Sequence, residues 1–141
     1  MAEVKAALNE AIESMLGEWK RGMLSYWTLA LLLQRPRYGL EISKEIEAST
    51  QGKMKLGPST VYQLLRRMEK RGLLVSRWEK TTEGPPRAYY EPTPAGREVV
   101  KRFVKDVLMP GSPISNALAE VTGALLGALG AEGTAPKDAQ P

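Results

Sequence analysis

The spacing of apolar residues predicts four helices in the first half of the chain. Apolar positions recur at i, i+3, i+4 and i+7 in four segments, at ~3–20, ~23–34, ~39–50 and ~58–71. We expect Gly22 to separate the first two helices, because glycine is a weak helix former. Pro36 and Gly39 end the second helix, and Pro58 suits the first position of the fourth.

The hydrophobic period changes after Gly72. The stretches LLVSRWEK and RAYYEP alternate as strands do, and TTEGPP between them contains the glycine and prolines of a turn. These features predict a β-hairpin. A helix resumes at ~94–108 with Thr93 as its N-cap, and another helical segment follows the prolines at 110 and 113. The low complexity of residues 130–141 is typical of a disordered tail.

The order of these elements is that of a winged helix-turn-helix, in which helices precede a two-stranded hairpin. We therefore predict a mainly α fold with a small β-hairpin, flanked by N- and C-terminal dimerisation helices. The 141 residues suffice for one compact domain with appendages. The predicted divisions are an N-terminal amphipathic helix at 1–20, the winged-helix DNA-binding domain at 21–93, C-terminal dimerisation helices at 94–129 and the tail.

The charge of the chain is concentrated in its centre. Residues 53–105 contain 13 Lys and Arg against 5 Asp and Glu, whereas the whole chain has a net charge of only +4. A basic centre between acidic ends predicts a site for a polyanion. A solvated basic helix face is the alternative explanation.

The composition also excludes several kinds of chemistry. Without cysteine or histidine the chain has no disulfide, thiolate metal site or imidazole base, and we predict no catalytic residues, metal or cofactor. The N-terminus lacks the basic start and apolar run of a signal peptide. The longest apolar stretch, Met23–Leu33, is too short to span a bilayer, so we expect a cytoplasmic protein with no membrane contact.

The helix predicted at ~58–71 is both amphipathic and basic. Its apolar stripe consists of Val61, Leu64, Leu65 and Met68. A recognition helix brings its N-terminal residues to base edges, whereas contacts to phosphate set affinity and register. The candidates for base contacts are Ser59, Thr60, Gln63 and Arg67. The candidates for phosphate contacts are Arg66, Lys70 and Arg71.

The hairpin and one tyrosine extend this predicted DNA-binding surface. The turn of a wing reaches the neighbouring DNA backbone, where Lys80 and Arg87 are candidates for phosphate binding. Tyr62 lies beside the apolar stripe, where it either covers the edge of the core or directs its hydroxyl group to phosphate. We expect packing on the core to explain most of the strand aromatics, which are Trp78, Tyr89 and Tyr90.

The apolar stripes at ~3–20 and ~94–108 are longer than a three-helix domain can cover, which predicts a homodimer. A two-fold dimer also places two recognition helices on half-sites one DNA turn apart. The predicted dimer seam contains Leu8, Ile12, Met15, Val100, Phe103, Val104 and Val107. The small residues Gly123 and Gly127, four apart, either permit close helix packing or simply weaken the last helix.

Four blocks of residues resemble, in order, the signature segments of the PadR-like transcriptional regulators. They are RGMLSYWTLALLL, YGLEISKEIE, STVYQLLRRMEKRGLL and GPPRAYYEPTPAG, within residues 21–97. The resemblance implies a dimeric repressor that binds inverted-repeat operators, with Tyr62 and the basic helix positions at DNA. It also implies release by small molecules, often phenolic acids or hydrophobic drugs. Glu91 and Pro92 depart from the family pattern, so we expect the second strand to end early or to lie at an edge.

Other readings of the sequence predict different partners. Trp19 and Trp27 lie near the predicted seam and are candidates for a small aromatic effector pocket, although core packing explains such residues equally well. An enzyme would require convergent acid and base groups, and the nearest pair, Glu41 and Glu45, resembles a solvated surface. A winged helix that binds only proteins would present an apolar or acidic face. A non-specific, chromatin-like DNA-binding protein would differ from a regulator only in its specificity ratio.

Overall fold

The computed structural model describes residues 1–131 and confirms a mainly α fold with one antiparallel hairpin. Two compact units are present, the first comprising Met1–Val100 and the second beginning at Lys101. The elements of the first unit are α1 (Ala2–Gln34), α2 (Gly39–Ser49), α3 (Pro58–Lys70), β1 (Leu74–Glu79), β2 (Arg87–Pro92) and most of α4 (Pro94–Phe103). A π-helical turn at Val104–Leu108 and α5 (Pro113–Ala131) follow.

Helix α1 corrects the prediction of two separate N-terminal helices. It continues through Gly22, whose position is exposed and has no atom within 4 Å of an added Cβ. A single glycine costs a helix only about 1 kcal/mol, and the good helix formers on both sides of it outweigh that cost. The helix ends instead at Gln34, because Arg35 is extended (φ −167°, ψ 159°) before Pro36.

The core of the first unit contains the stripe predicted for the recognition helix. Val61, Leu64, Leu65 and Met68 of α3 are all buried. Helix α2 packs against α3 and contributes Ile42 and Ile46, which are fully buried, while α1 contributes Leu29 and Leu32. The opposite face of α3 is therefore left exposed to solvent.

The hairpin pairs β1 and β2 antiparallel, from Leu74 opposite Pro92 to Glu79 opposite Arg87. Of the two alternatives predicted for β2, the edge position is confirmed, because the strand includes both Glu91 and Pro92 and has only β1 as a partner strand within residues 1–131. In a two-stranded sheet each strand has a free edge, which tolerates a proline that cannot donate a hydrogen bond.

The strand aromatics differ in their surroundings. Tyr90 packs in the core as expected, and Tyr89 is half-buried. Trp78 is the exception among the three, since it is 71% exposed. Register explains the difference, because Trp78 pairs with Ala88, two residues nearer the turn than the pair of Ser76 with Tyr90. Burial raises the pKa of the Tyr90 phenol, and the Glu69 carboxylate adds to the rise.

Arg37, in the segment between α1 and α2, is buried and connects three elements. Its guanidinium donates to both carboxylate oxygens of Glu45 on α2, with Nη2 3.0 Å from Oε1, and to the carbonyl of Leu31 on α1. Its backbone forms an antiparallel bridge with Tyr90, whose N–H donates to the Arg37 carbonyl at 2.9 Å. The base of the wing is thus fixed to the first two helices.

The first residues of α4 pack against the residues that directly follow α3. The Thr93 hydroxyl accepts a hydrogen bond from the Gly96 N–H at 3.1 Å, which confirms Thr93 as the N-cap. The same hydroxyl donates to the Gly72 carbonyl at 2.6 Å. A Cβ on Gly96 would lie only 2.2 Å from the carbonyl oxygen of Leu73. Glycine is therefore required at this close approach.

The second unit is helical to the end of the described residues. In its π-helical turn the Met109 N–H donates to the Val104 carbonyl at 2.8 Å. Ser112 precedes α5, and its hydroxyl accepts a hydrogen bond from Ser115 N–H at 3.2 Å. Helix α5 includes residues 130 and 131, which corrects the predicted start of the tail, and the rest of that tail lies outside the described residues. No helix within residues 1–131 is long and apolar enough to cross a membrane.

Two glycine substitutions test the continuity of α1 and the contact of α4. We expect Gly22→Ala to stabilise the protein by about 0.5–1 kcal/mol, because alanine favours a helix that already continues through this site. Gly96→Ala is expected to destabilise it by about 1–3 kcal/mol, since its methyl group meets a backbone carbonyl. Chemical denaturation measures both changes. Destabilisation by Gly22→Ala would contradict the continuous helix, and a neutral Gly96→Ala would contradict the close approach.

Candidate nucleic-acid interface

All ten residues predicted to contact DNA lie in the first unit and are exposed. Eight lie on the outer face of α3 or directly after it, namely Ser59, Thr60, Tyr62, Gln63, Arg66, Arg67, Lys70 and Arg71. The other two, Lys80 and Arg87, lie at the two ends of the loop that connects β1 to β2. The recognition helix and the wing therefore supply the whole predicted surface.

The positive charge of α3 is not neutralised within residues 1–131. None of Arg66, Arg67, Lys70 or Arg71 forms an ion pair in that part of the chain. The helix contains one acidic residue, Glu69, whose carboxylate accepts a hydrogen bond from the Ser76 hydroxyl on β1 at 2.6 Å. This contact holds the acid toward the wing and leaves the cations available to an anionic partner.

The arginine that follows α1 provides a contrast. Arg35 Nη2 lies 3.0 Å from Glu41 Oε2, and this hydrogen bond raises the pKa of the guanidinium. Glu45 Oε2 lies 3.9 Å from the same nitrogen. Arg35 is thus compensated by its own protein, unlike the α3 cations.

Two lysines that the sequence analysis did not select lie just before α3. Lys53 and Lys55 are exposed, whereas Met54 and Leu56, which alternate with them, are buried. Two hydrogen bonds hold this loop. The Ser43 hydroxyl donates to the Leu56 carbonyl at 2.8 Å, and Met54 N–H donates to the Thr50 hydroxyl at 3.0 Å. The alternation of polar and apolar residues in KMKL is the sequence signal for this arrangement.

Tyr62 packs on the edge of the core while part of its ring stays exposed. A Cβ added to Gly39, the first residue of α2, would lie 2.7 Å from Tyr62 Cε1, so the ring lies directly on that glycine. The side chain is 37% exposed. The alternatives raised by the sequence are therefore compatible, because a ring covering the core edge can still present its hydroxyl outward.

A groove of about 400 Å³ separates α3 from the wing. Its lining residues are Tyr38, Leu40, Tyr62, Trp78, Pro85, Pro86, Arg87 and Ala88. The Arg87 guanidinium carbon lies 4.5 Å from the centre of the Tyr38 ring, and that ring meets Tyr89 edge to face at 5.4 Å and 74°. No local pattern in the sequence indicates Tyr38, because its ring contacts join residues far apart in the chain.

The residues assigned to the dimer seam and effector pocket have varied exposure. Leu8, Ile12, Met15 and Trp19 follow helical spacing on α1 and are all exposed. Phe103, Val104, Val107 and Trp27 are half-buried. Val100 is buried. The α1 residues thus provide an apolar stripe that the described part of the first unit leaves exposed.

The structure is similar to solved structures of bacterial regulators. A PadR family transcriptional regulator from Eggerthella lenta DSM 2243 is 29% identical with a TM-score of 0.67, over 86% of this chain and 96% of that chain. Bacillus subtilis PadR, solved in complex with operator DNA, has the same fold with a TM-score of 0.55. It is 18% identical, over 64% of this chain and 51% of that chain.

Sequence comparison gives the family directly. An uncharacterised protein of Lysinibacillus sphaericus is 33% identical over 86 residues, which are 61% of this chain and 79% of that protein. The model of the transcriptional regulator PadR-like family matches residues 28–102, which are more than half of the chain. The matched segment extends from the buried part of α1 through α3 and the wing into α4. The chain therefore belongs to the PadR-like family of transcriptional regulators.

Proposed function

We propose that this protein regulates transcription by binding double-stranded DNA with α3 in the major groove. One observation carries the proposal: α3 has a fully buried apolar stripe and an outer face whose cations have no acidic partner within residues 1–131. The structure of Bacillus subtilis PadR in complex with operator DNA, which shares the fold, supports DNA as the partner. Such a helix fits the major groove in width and charge.

The two ends of α3 have different roles in this proposal. Ser59, Thr60 and Gln63 lie in its N-terminal half, where short polar side chains approach base edges. Arg67 is one turn beyond Gln63 on the same face and reaches either a guanine edge or phosphate. Phosphate contacts by the remaining cations, Arg66, Lys70, Arg71, Lys80 and Arg87, set affinity and register.

A homodimer completes the proposal. A two-fold axis places two copies of α3 on half-sites about 34–36 Å apart, which matches an inverted-repeat operator and repression by occupancy. The exposed stripe of Leu8, Ile12 and Met15 on α1 supports a role for this helix in the dimer. The remaining proposed seam residues are Val100, Phe103, Val104 and Val107. An effector pocket at Trp19 and Trp27 stays a prediction from the sequence.

Two other functions predict different surfaces or specificities. A winged helix that serves only as a protein-interaction module would not require four uncompensated cations on its outer helix. A non-specific, chromatin-like protein would use the same cations but would bind all duplexes with similar affinity. Selection of binding sequences from a random duplex library separates it from a regulator, because only the regulator enriches a defined half-site.

The first prediction concerns the salt dependence of DNA binding. Cations that contact phosphate release counterions, so the affinity of a dimer is expected to fall with a log–log slope of roughly −4 to −8. Fluorescence anisotropy of a labelled promoter duplex at several salt concentrations measures this slope. Lys5→Ala, on the distant end of α1, is the matched control for loss of one charge and should leave the slope unchanged. Absence of binding at low salt would exclude the proposed function.

The second prediction separates the roles of the α3 residues. Gln63→Ala and Arg67→Ala should each relax sequence preference by about 1–3 kcal/mol at one base position, because they remove a base contact. Lys70→Ala should weaken binding to all sequences alike and reduce the salt slope by about one per protomer. Competition with duplexes carrying single base changes measures both effects. A change of preference with Lys70→Ala, without one for Gln63→Ala, would reverse the assignment.

The third prediction concerns the dimer. The double substitution Phe103→Glu and Val107→Glu should give a monomer that binds one half-site weakly, because a buried seam cannot accept paired carboxylates.

The matched control is Lys101→Glu with Lys105→Glu. It changes the net charge by more than the seam substitutions do, but at exposed positions, and is expected to leave the dimer intact. Removal of all residues after Gly130 should also leave it intact. Sedimentation, with circular dichroism to verify folding, measures the result. A dimeric Phe103→Glu and Val107→Glu variant would place the seam elsewhere, such as at Gly123 and Gly127.

A further inference from the structure

Arg87 occupies an unusual position among the charged residues of the wing. It stands directly opposite Glu79 across the hairpin, where an ion pair is the expected arrangement. The Glu79 carboxylate instead accepts a hydrogen bond from Arg77 Nε at 2.9 Å, and Arg77 also lies 3.9 Å from Glu91. Within the described part of the chain Arg87 forms no ion pair, and its guanidinium lies on the ring of Tyr38.

The Tyr38 ring that supports Arg87 is itself held from two directions. Tyr89, one strand position from Tyr90, contacts it edge to face at 5.4 Å. The backbone of Tyr38 is the N-cap of α2, and its carbonyl accepts the first helical hydrogen bond from Ile42 N–H at 3.2 Å. The preceding residue is the buried Arg37. The ring is therefore part of the ordered base of the wing.

We propose that Tyr38 is a positioning residue for DNA binding. Its ring holds the Arg87 guanidinium at the groove, so that the guanidinium is already ordered when it meets a phosphate. This proposal rests on the proposed function, because it names how one predicted phosphate contact is prepared. Arg87 of the wing and Tyr62 of α3 both line this groove. The stack thus brings the cation of the wing and the tyrosine of α3 to one stretch of DNA backbone.

The physical basis is the conformational freedom of arginine. A free arginine side chain loses much rotamer entropy when it binds phosphate, whereas one stacked on a ring has already lost it in the unbound protein. A guanidinium that stacks on a ring by its face leaves its N–H edge available to phosphate oxygens. Removing the ring keeps the positive charge, so it should lower affinity without changing the number of counterions released.

Anisotropy titrations with an operator duplex test this prediction in the full chain. Tyr38→Leu should weaken binding roughly three- to fivefold per bound protomer with an unchanged salt slope. Tyr38→Phe, which keeps the ring, should remain within about twofold of the parent protein. Arg87→Ala should weaken binding further and reduce the salt slope by about one per protomer. In the Arg87→Ala background, Tyr38→Leu should have no additional effect.

Arg77→Ala is the matched control on the same wing. Arg77 is also an exposed arginine, but two carboxylates already compensate it, so its loss should leave affinity and salt slope nearly unchanged. Equal losses for Arg77→Ala and Arg87→Ala would overturn the proposal. So would an undiminished effect of Tyr38→Leu when Arg87 is absent, since Tyr38 would then act by another route.

A measurement on the parent protein covers the case in which Tyr38→Leu fails to fold. The Arg87 Nε–H proton should be shifted upfield in its NMR spectrum by the ring of Tyr38, whereas that of Arg77 should not. The shift should persist in Tyr38→Phe and remain when DNA is added. Its absence from the parent protein would overturn the proposal while leaving the proposed function intact. Absence of DNA binding by the parent protein would instead exclude both.

Discussion

The buried guanidinium of Arg37 determines how the wing is attached to the helices. A buried cation is strongly unfavourable unless its donors are satisfied, and Arg37 satisfies them with Glu45 on α2 and carbonyls at the end of α1. Its own backbone is paired to Tyr90 of β2. The same residue makes all of these contacts. A change in the angle between β2 and α2 would therefore leave the buried Arg37 guanidinium without its hydrogen-bond partners. The positions of Tyr38 and Arg87, and hence the shape of the groove, follow from this constraint.

A second organising feature is the set of contacts made by four acidic residues of the first unit. Glu41 and Glu45 compensate arginines of the α1–α2 segment, Glu79 compensates Arg77, and Glu69 is held by Ser76. In each case the carboxylate is held by a neighbour other than the α3 cations. The outer face of α3 therefore keeps its charge in the folded protein, although a sum over the sequence gives a net charge of only +4. The distribution of charge, and not its total, supports a polyanionic partner.

The sequence predicted those features that depend on neighbours a few residues apart. Apolar spacing located α2 and α3, the Thr93 cap marked the start of α4, and alternation located the hairpin. The prediction of a helix break was wrong at Gly22, because a single glycine weakens a helix less than its long helical surroundings favour it. The exposure of Trp78, the burial of Arg37 and the stack of Arg87 on Tyr38 depend on tertiary contacts that no local pattern contains. The exposed face of α3 was predictable because its stripe alone determines which side is buried.

The continuity of α1 determines how far a local movement can extend through the protein. Its 33 residues correspond to a length of about 50 Å, and one end is buried in the core, where α1 packs on β2, while the other is exposed. A break at Gly22 would have allowed the exposed half to reorient without disturbing the core. As one continuous helix it joins its exposed half directly to the core of the first unit. A movement of its exposed apolar half is expected to reach the wing through the packing of α1 on β2, because α1 has no break along its length to absorb it.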